Sequence, residues 1–260
     1  MVIRSPPTLE ATLRIRRGGG KHLAVSIARL KTMLILAFDT TQGACSAAIS
    51  QEGRLLANAF MPMRRGHAEH LLPTIEQVRR QAKISYGDLE LIAVTIGPGT
   101  FTGVRVGLAA AQALAQVHDV SLIGVSTLEL LARAAVPRNN DESAGIIATI
   151  DARRGQLYMQ AFDALGKAVT LPVIDAASPR IAPSPNHSGL IVGSGAEILQ
   201  SALPDWRIIR DICQPDASIL ATASKHWWDR ASRQPPSPLY LRAPDAKLPT
   251  GIKALNLKLS

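Results

Sequence analysis

Leu91-Ile92-Ala93-Val94-Thr95-Ile96 runs directly into Gly97-Pro98-Gly99-Thr100-Phe101-Thr102-Gly103-Val104-Arg105-Val106-Gly107, and Leu108 to Val117 continues in small and apolar residues. An apolar strand that enters a helix through closely spaced glycines has two uses. Its free backbone N–H groups at the helix start favour an anion, and its missing β-carbons let two backbones approach. A dinucleotide fingerprint is a poor match. G-P-G-T-F-T-G is one residue longer than G-x-G-x-x-G, Pro98 removes a donor, and no acid ends the next strand at Leu122-Ile123-Gly124. The helix, expected over about 103–117, has only Arg105, Gln112 and Gln116 as strongly polar residues between Val104 and Val117. A helix apolar nearly all round is buried on more than one side. Its second cover is then either another helix of this chain or a different subunit.

Strands and helices alternate on both sides of this stretch. Strand signals at 34–38, 44–50 and 54–60 are joined by the short turns Asp39-Thr40-Thr41-Gln42-Gly43 and Gln51-Glu52-Gly53, a hairpin pattern. A helix from His67 to Ala82 gathers Leu71, Leu72, Ile75, Val78 and Ala82 on one face, with Pro73 tolerated in its first turns. After strand 91–96 and the glycine-loop helix come strand 120–124, helix 126–135 and a polar linker from Pro137 to Ser143. Strands 145–151 and 156–162 are joined by Asp151-Ala152-Arg153-Arg154-Gly155; residues 163–190 show weak periodicity. Strand 189–193, helices over 195–202 and about 216–230, and an extended proline-rich tail from Pro235 follow. A meander followed by α-β-α-β-α, then a second meander, predicts an α/β fold of two ribonuclease-H-like halves with mixed sheets flanked by helices. That plan resembles the duplicated halves of the actin/hexokinase superfamily. The expected division is a basic extension over 1–32, halves over 33–137 and 138–242, and a tail over 243–260.

The chain has 260 residues, is 47% hydrophobic and only 4% aromatic, so its core rests on Ala, Leu, Ile and Val. Its formal net charge of +9 is unevenly spread. Residues 1–32 carry Arg4, Arg14, Arg16, Arg17, Lys21, Arg29 and Lys31 against the single acid Glu10, and the remainder is near balance. The high charge therefore does not by itself make the fold a nucleic-acid binder. The extension reads as disordered or as a start placed too far upstream, with a transit peptide as the alternative. Cys45 and Cys213 form no metal or redox spacing, which points to a reduced, cytoplasmic setting. No apolar run approaches the roughly 20 residues of a membrane span.

Several short motifs invite chemistry. His67-Ala68-Glu69-His70 lacks both the i, i+4 spacing of H-E-x-x-H and a third ligand, and reads as an ordinary helix start. Asp39 and Asp151 each end the first strand of a half, where a carboxylate serves acid–base or magnesium chemistry. With only Thr40, Thr41 and Gln42 around it, Asp39 reads better as a turn cap. Arg64-Arg65, Arg79-Arg80-Lys83 and Arg153-Arg154 read as solvated surface. No Ser/His/Asp or Cys/His set supports hydrolase chemistry.

From Met33 the chain resembles the TsaB (YeaZ) family of the tRNA threonylcarbamoyladenosine pathway. The resemblance rests on Leu36-Ala37-Phe38-Asp39-Thr40-Thr41 with Cys45-Ser46, His67-Ala68-Glu69-His70-Leu71-Leu72-Pro73, the glycine loop from Gly97 to Arg105, Asp151-Ala152-Arg153-Arg154-Gly155-Gln156-Leu157-Tyr158, and Pro238-Leu239-Tyr240-Leu241-Arg242. It implies a non-catalytic subunit that supports formation of N6-threonylcarbamoyladenosine at position 37 of tRNAs reading ANN codons. The implied partners are a catalytic TsaD-like subunit, a TsaE-like ATPase, a second copy of the chain, and tRNA reached indirectly through the complex; no cofactor, metal or membrane is implied. TsaD carries H-x-x-x-H after the strand equivalent to 120–124. Here that place reads Ser126-Thr127-Leu128-Glu129-Leu130, with Ser126 and Leu130 at the histidine positions. Of the superfamily's ATP-holding glycine loops in the second half, Gly193-Ser194-Gly195 is the remnant. Docking is expected through the two first-half helices as a four-helix bundle, with Leu71, Ile75, Val78, Val104, Leu108, Ala111 and Ala115 facing the partner. Asp39, Thr40 and Thr41 are then a phosphate-loop remnant, and Gly97, Gly99, Gly103 and Gly107 a packing loop. The alternative is an ATP-dependent kinase or ATPase of the actin/hexokinase plan, with Asp39 and Asp151 as its acids.

Overall fold

The computed structural model of the protein describes residues 33–139, 144–182, 188–228 and 235–242. The expectations for 1–32 and 243–260 lie outside the described residues. Strands β1 (Leu34–Asp39), β2 (Ala44–Gln51), β3 (Arg54–Pro62), β4 (Leu91–Thr95) and β5 (Ser121–Val125) form one sheet in the order β3-β2-β1-β4-β5. Strands β6 (Gly145–Arg153), β7 (Gln156–Phe162), β8 (Val173–Asp175), β9 (Gly189–Val192) and β10 (Arg207–Ile208) form a second sheet in the order β10-β9-β6-β7-β8. In each sheet the first three strands are antiparallel and the last two run parallel to the first. The same plan thus occurs twice, the α/β architecture that the sequence predicted.

Alternation along the central strands decides which helix covers which face. Leu34, Leu36 and Phe38 of β1 enter a core with α1 (His67–Ala82) and α2 (Phe101–His118). Ile35 and Ala37 point the other way, into a core with Leu220, Ala221 and Trp227 of α5 (Ala217–Trp228). In β6, Ile146, Ala148 and Ile150 meet Leu128, Leu131, Ala132 and Ala135 of α3 (Thr127–Ala135), while Ile147 shares a core with Ala196 and Leu199 of α4 (Ala196–Gln200). Both sheets are covered on both faces, as strands that read as continuous apolar runs require.

Packing crosses the line expected between 137 and 138. Helix α3 precedes that line but covers the second sheet, and α5 follows it but covers the first. Each lobe is closed by a helix from the other half of the chain, so neither half of the sequence holds a complete core. Element bounds differ little from expectation. Thr100 caps α2 by accepting the Gly103 N–H at 3.2 Å, so the helix starts at Phe101 rather than 103. The helix expected over 195–202 is a short one, and β8 and β10 are strands of three and two residues that periodicity over so few positions does not reveal. No helix among the described residues is long and apolar enough to cross a membrane.

Helix α2 is held unusually close to the β1–β2 turn. A β-carbon on Gly103 would lie 2.0 Å from the Thr40 carbonyl oxygen, and one on Gly107 would lie 2.8 Å from the Thr40 hydroxyl. The hydroxyl uses this proximity to donate to the Gly103 carbonyl at 2.7 Å. Gly103→Ala should therefore push helix and turn apart and cost about 2 kcal/mol or more. Urea unfolding of the full chain checks this against Gly87→Ala, whose new methyl would meet only the Ser85 hydroxyl at 3.7 Å.

Candidate functional site

The loop after β1 is the point where the chain's polar residues gather in the interior. Asp39, Thr40 and Thr41 are all fully buried. One carboxylate oxygen of Asp39, Oδ1, accepts from the Thr41 N–H at 3.2 Å, from the Thr41 hydroxyl at 2.6 Å and from the Thr95 hydroxyl at the end of β4. Its other oxygen, Oδ2, has no partner, as is also true of Ser126 Oγ and Thr149 Oγ1 among the described residues. No cation faces this carboxylate in the contacts above. Burial pushes its carboxyl up from 3.8 to about 6, against the opposing hydrogen bonds from Thr41 and Thr95; the nearby Asp216 charge pushes the same way as burial.

The turn that would cradle a phosphate is filled by its own chain. The Thr41 carbonyl accepts the Thr100 N–H at 2.7 Å, and a β-carbon on Gly99 would lie 2.3 Å from that same carbonyl oxygen. The Thr127 hydroxyl, at the start of α3, donates to Thr41 Oγ1 at 3.3 Å. Across the lobes, the Gly43 N–H donates to Gln214 Oε1 at 2.8 Å, and the Ser194 hydroxyl reaches Gln42 Oε1 at 3.5 Å. Gly99, Gly103 and Gly107 thus pack against the Thr40–Thr41 turn and not against a second helix, while a β-carbon on Gly97 would lie 2.9 Å from the Leu239 carbonyl oxygen. Asp151 lies half-buried in the other lobe, bonded to the Arg153 N–H at 2.8 Å. The two aspartates sit in separate lobes with separate partners. His67 engages the Gln42 carbonyl at 2.9 Å, so it closes the same turn from outside.

The seven residues expected to face a partner do not lie on the surface. Leu71, Ile75, Val78, Leu108, Ala111 and Ala115 are buried in the core beneath the first sheet's helices, and Val104 is buried as well. A charge at Leu108 or Ala111 would break the fold before it touched any interface. The outward face of α2 is a different line of residues: Phe101, Arg105, Ala109, Ala113 and Val117, at four-residue spacing, with Gln112 and Gln116 beside it. Phe101 is 56% and Val117 75% exposed, and Leu72 on α1 is 54% exposed. The signal was present in the sequence: Arg105, Gln112 and Gln116 mark the solvent side. Alanines lie on both sides of the helix, and only the polar stripe separates them.

The tail frames one end of this face. The Leu239 N–H donates to the Ile96 carbonyl at 2.8 Å and Gln112 Nε2 to the Pro236 carbonyl at 3.1 Å. Arg105 lies 3.6 Å over the Phe101 ring and donates from Nε to the Tyr240 hydroxyl at 2.9 Å. Arg242 then reaches Gln156 Oε1 of the second lobe at 2.8 Å, so the segment ties both lobes together.

A family model described as "TsaD: tRNA N6-adenosine threonylcarbamoyltransferase" matches residues 56–201, more than half of the chain. The tRNA threonylcarbamoyladenosine biosynthesis protein TsaB of Escherichia coli is 39% identical over 126 residues, 48% of this chain and 53% of that protein. Its namesake in Bacillus subtilis is 35% identical over 127 residues, 48% of this chain and 53% of that protein. The solved structure titled "YeaZ from Pseudomonas aeruginosa" superposes with a TM-score of 0.69 at 26% identity, covering 80% of this chain and all of that one. This chain belongs to the TsaB (YeaZ) family. The matched region spans about half the length of these curated TsaB relatives, whereas an uncharacterized protein of Mycobacterium tuberculosis, 29% identical, is covered over 97% of its length.

Within this TsaB-family chain the two places that would answer to a metal-binding histidine pair hold a core leucine and a serine whose buried hydroxyl has no partner. Leu130 is packed in the core shared with α5, and Ser126 precedes the first turn of α3. An aliphatic side chain cannot ligate a metal, and a lone hydroxyl makes no site, so these residues do not fit the group. Among the described residues no cluster of three His, Cys, Asp or Glu side chains could hold one.

The raised carboxyl of Asp39 has a signature in stability. Between its ordinary value of 3.8 and about 6 the native state holds a proton that the unfolded chain releases. Stability contributed by this group is therefore present at low pH, falls as pH rises through that window, and is level above it, a change of about 3 kcal/mol. Asp39→Asn keeps the accepting oxygen and places a neutral amide at the other position. Urea unfolding at pH 4.5 and pH 7 should show this pH-dependent loss in the parent chain and not in the variant.

Proposed function

We propose that this chain is a non-catalytic subunit of the assembly that makes N6-threonylcarbamoyladenosine in tRNA, and that it docks on a TsaD-like catalytic subunit in the cytoplasm. The observation that carries the reading is the outward face of α2, where Phe101, Ala109, Ala113 and Val117 stand exposed in one line, with Leu72 of α1 adding a large apolar side chain. Alanine loses no side-chain entropy when covered, and its small size lets a partner helix come close; Phe101 and Val117 supply apolar area at the two ends. A helix pair presenting this surface fits a four-helix packing with another helix pair. A TsaE-like ATPase joins the same assembly, and a second copy of this chain would compete for the same face.

Absence of independent catalysis is supported by the packing of Leu130 in the core and by the enclosure of Asp39, which is fully buried with two threonine hydroxyls on one of its carboxylate oxygens. The kinase or ATPase alternative needs that carboxylate open to a phosphate and is not favoured. The modified site, adenosine at position 37 of tRNAs reading ANN codons, follows from the catalytic partner and not from residues of this chain.

Ala113→Glu sets a charge on the exposed line without entering the core. It should weaken co-purification with the catalytic subunit by about tenfold or more, with the unfolding midpoint unchanged. Ala111→Glu, two residues away and fully buried, should instead lower the midpoint steeply by burying a charge. Undiminished capture by the Ala113→Glu chain would reject this docking face.

A further inference from the structure

Two arginine pairs that read singly as solvated surface are carried by the fold to the same end of the molecule. Strand β3 ends at Pro62 opposite Ala44, which sets the loop with Arg64 and Arg65 beside the β1–β2 turn. There the Met63 N–H donates to the Gly43 carbonyl at 3.0 Å, and His67 holds the Gln42 carbonyl. From the other lobe, Ser194 Oγ contacts Gln42 and also accepts the Asp151 N–H at 3.2 Å, which sets the β6–β7 turn with Arg153 and Arg154 near the same point. All four arginines are exposed.

The β6–β7 turn is built in an unusual way. Arg153, Arg154 and Gly155 have φ of 65°, 58° and 71°, a left-handed stretch in which Asn and Gly are the ordinary occupants. Asp151 holds the turn by accepting the Arg153 N–H and lies 3.2 Å from its guanidinium. Helices α1, α2 and α3 all begin around the β1–β2 turn, next to His67, Thr100 and Thr127, and each adds the positive end of its dipole. The acids nearby are Asp39, which is enclosed, Asp151, which is paired, Asp216 beside Asp39, and Glu69 and Glu129 on the first turns of α1 and α3.

We propose that this end of the subunit contacts the tRNA backbone directly, with Arg64, Arg65, Arg153 and Arg154 on phosphates. The inference rests on the reading of the chain as part of a tRNA-modifying assembly. Guanidinium forks match phosphate oxygens. The surface between the two pairs is polar, made by Gln42, Gly43, Ser194 and Gln214, and lacks the apolar centre that a protein partner would bury. RNA therefore suits it better than an acidic polypeptide.

The test uses the full chain, so that residues 1–32 are common to every sample, assembled with its catalytic subunit. Unmodified tRNA transcript is titrated across a salt series against Arg64→Gln/Arg65→Gln, Arg153→Gln/Arg154→Gln and the fourfold variant. The fourfold variant should lose about tenfold or more in affinity at low salt. Its log–log salt slope should become shallower by roughly 0.7–0.9 for each phosphate contact removed. Arg→Lys versions should keep the parent slope, and assembly with the catalytic subunit should be unaltered. Unchanged tRNA affinity and slope in an intact assembly would overturn the proposal while leaving the docking reading in place. Loss of assembly in the arginine variants would also overturn it, by assigning the patch to a protein. A parent chain that does not assemble at all would overturn both.

Discussion

Three helices begin around one four-residue turn, and the hydrogen bonds of that turn hold them there. The Thr40 hydroxyl donates into α2 at Gly103, the Thr41 carbonyl receives the Thr100 N–H just before α2, and the Thr41 hydroxyl accepts from the Thr127 hydroxyl at the head of α3. His67, heading α1, closes on the carbonyl of Gln42. These are buried or half-buried groups that would each cost roughly 1–3 kcal/mol if left unpaired, so the turn and the helix starts are mutually dependent. Gly103 and Gly107 are the residues that permit it, since no side chain fits between the helix and Thr40.

The same knot also joins the two lobes. Thr41 and Thr95 surround the Asp39 carboxylate with hydroxyls, and the two lobes touch through Gln42 with Ser194 and through Gly43 with Gln214. Exchange of helices between the lobes works in the same direction. Helix α3 covers the second sheet and α5 the first, so parting the lobes means pulling covers from both cores. The segment from Pro235 to Arg242 adds a strap from α2 to β7.

Much of the architecture was legible because it follows from local chemistry. The strands Leu34–Asp39 and Leu91–Thr95, apolar up to their last residue, the glycine-bearing turns and the amphipathic face of His67–Ala82 leave little choice of element or of fold class. The family motifs were legible for the same reason, as Asp39-Thr40-Thr41 and Gly97 to Gly103 are contiguous. The seven residues expected to face a partner lie in the interior instead. In α2, alanine occupies buried positions 111 and 115 and exposed positions 109 and 113 alike, and hydrophobicity cannot separate them. Leu71, Ile75 and Val78 form an apolar stripe because they bury against the sheet, which is what such a stripe ordinarily does.

The order of residues determined the elements, the repeated meander and the family, because each depends on neighbours within a few positions along the chain. Tertiary structure alone decided which side of α2 faces outward, that α3 and α5 each serve the lobe on the far side of the midpoint, and that Arg64-Arg65 and Arg153-Arg154 share one end. Those outcomes depend on contacts between residues tens of positions apart. They are set by the need to cover both faces of two sheets at once, and no local pattern encodes that requirement.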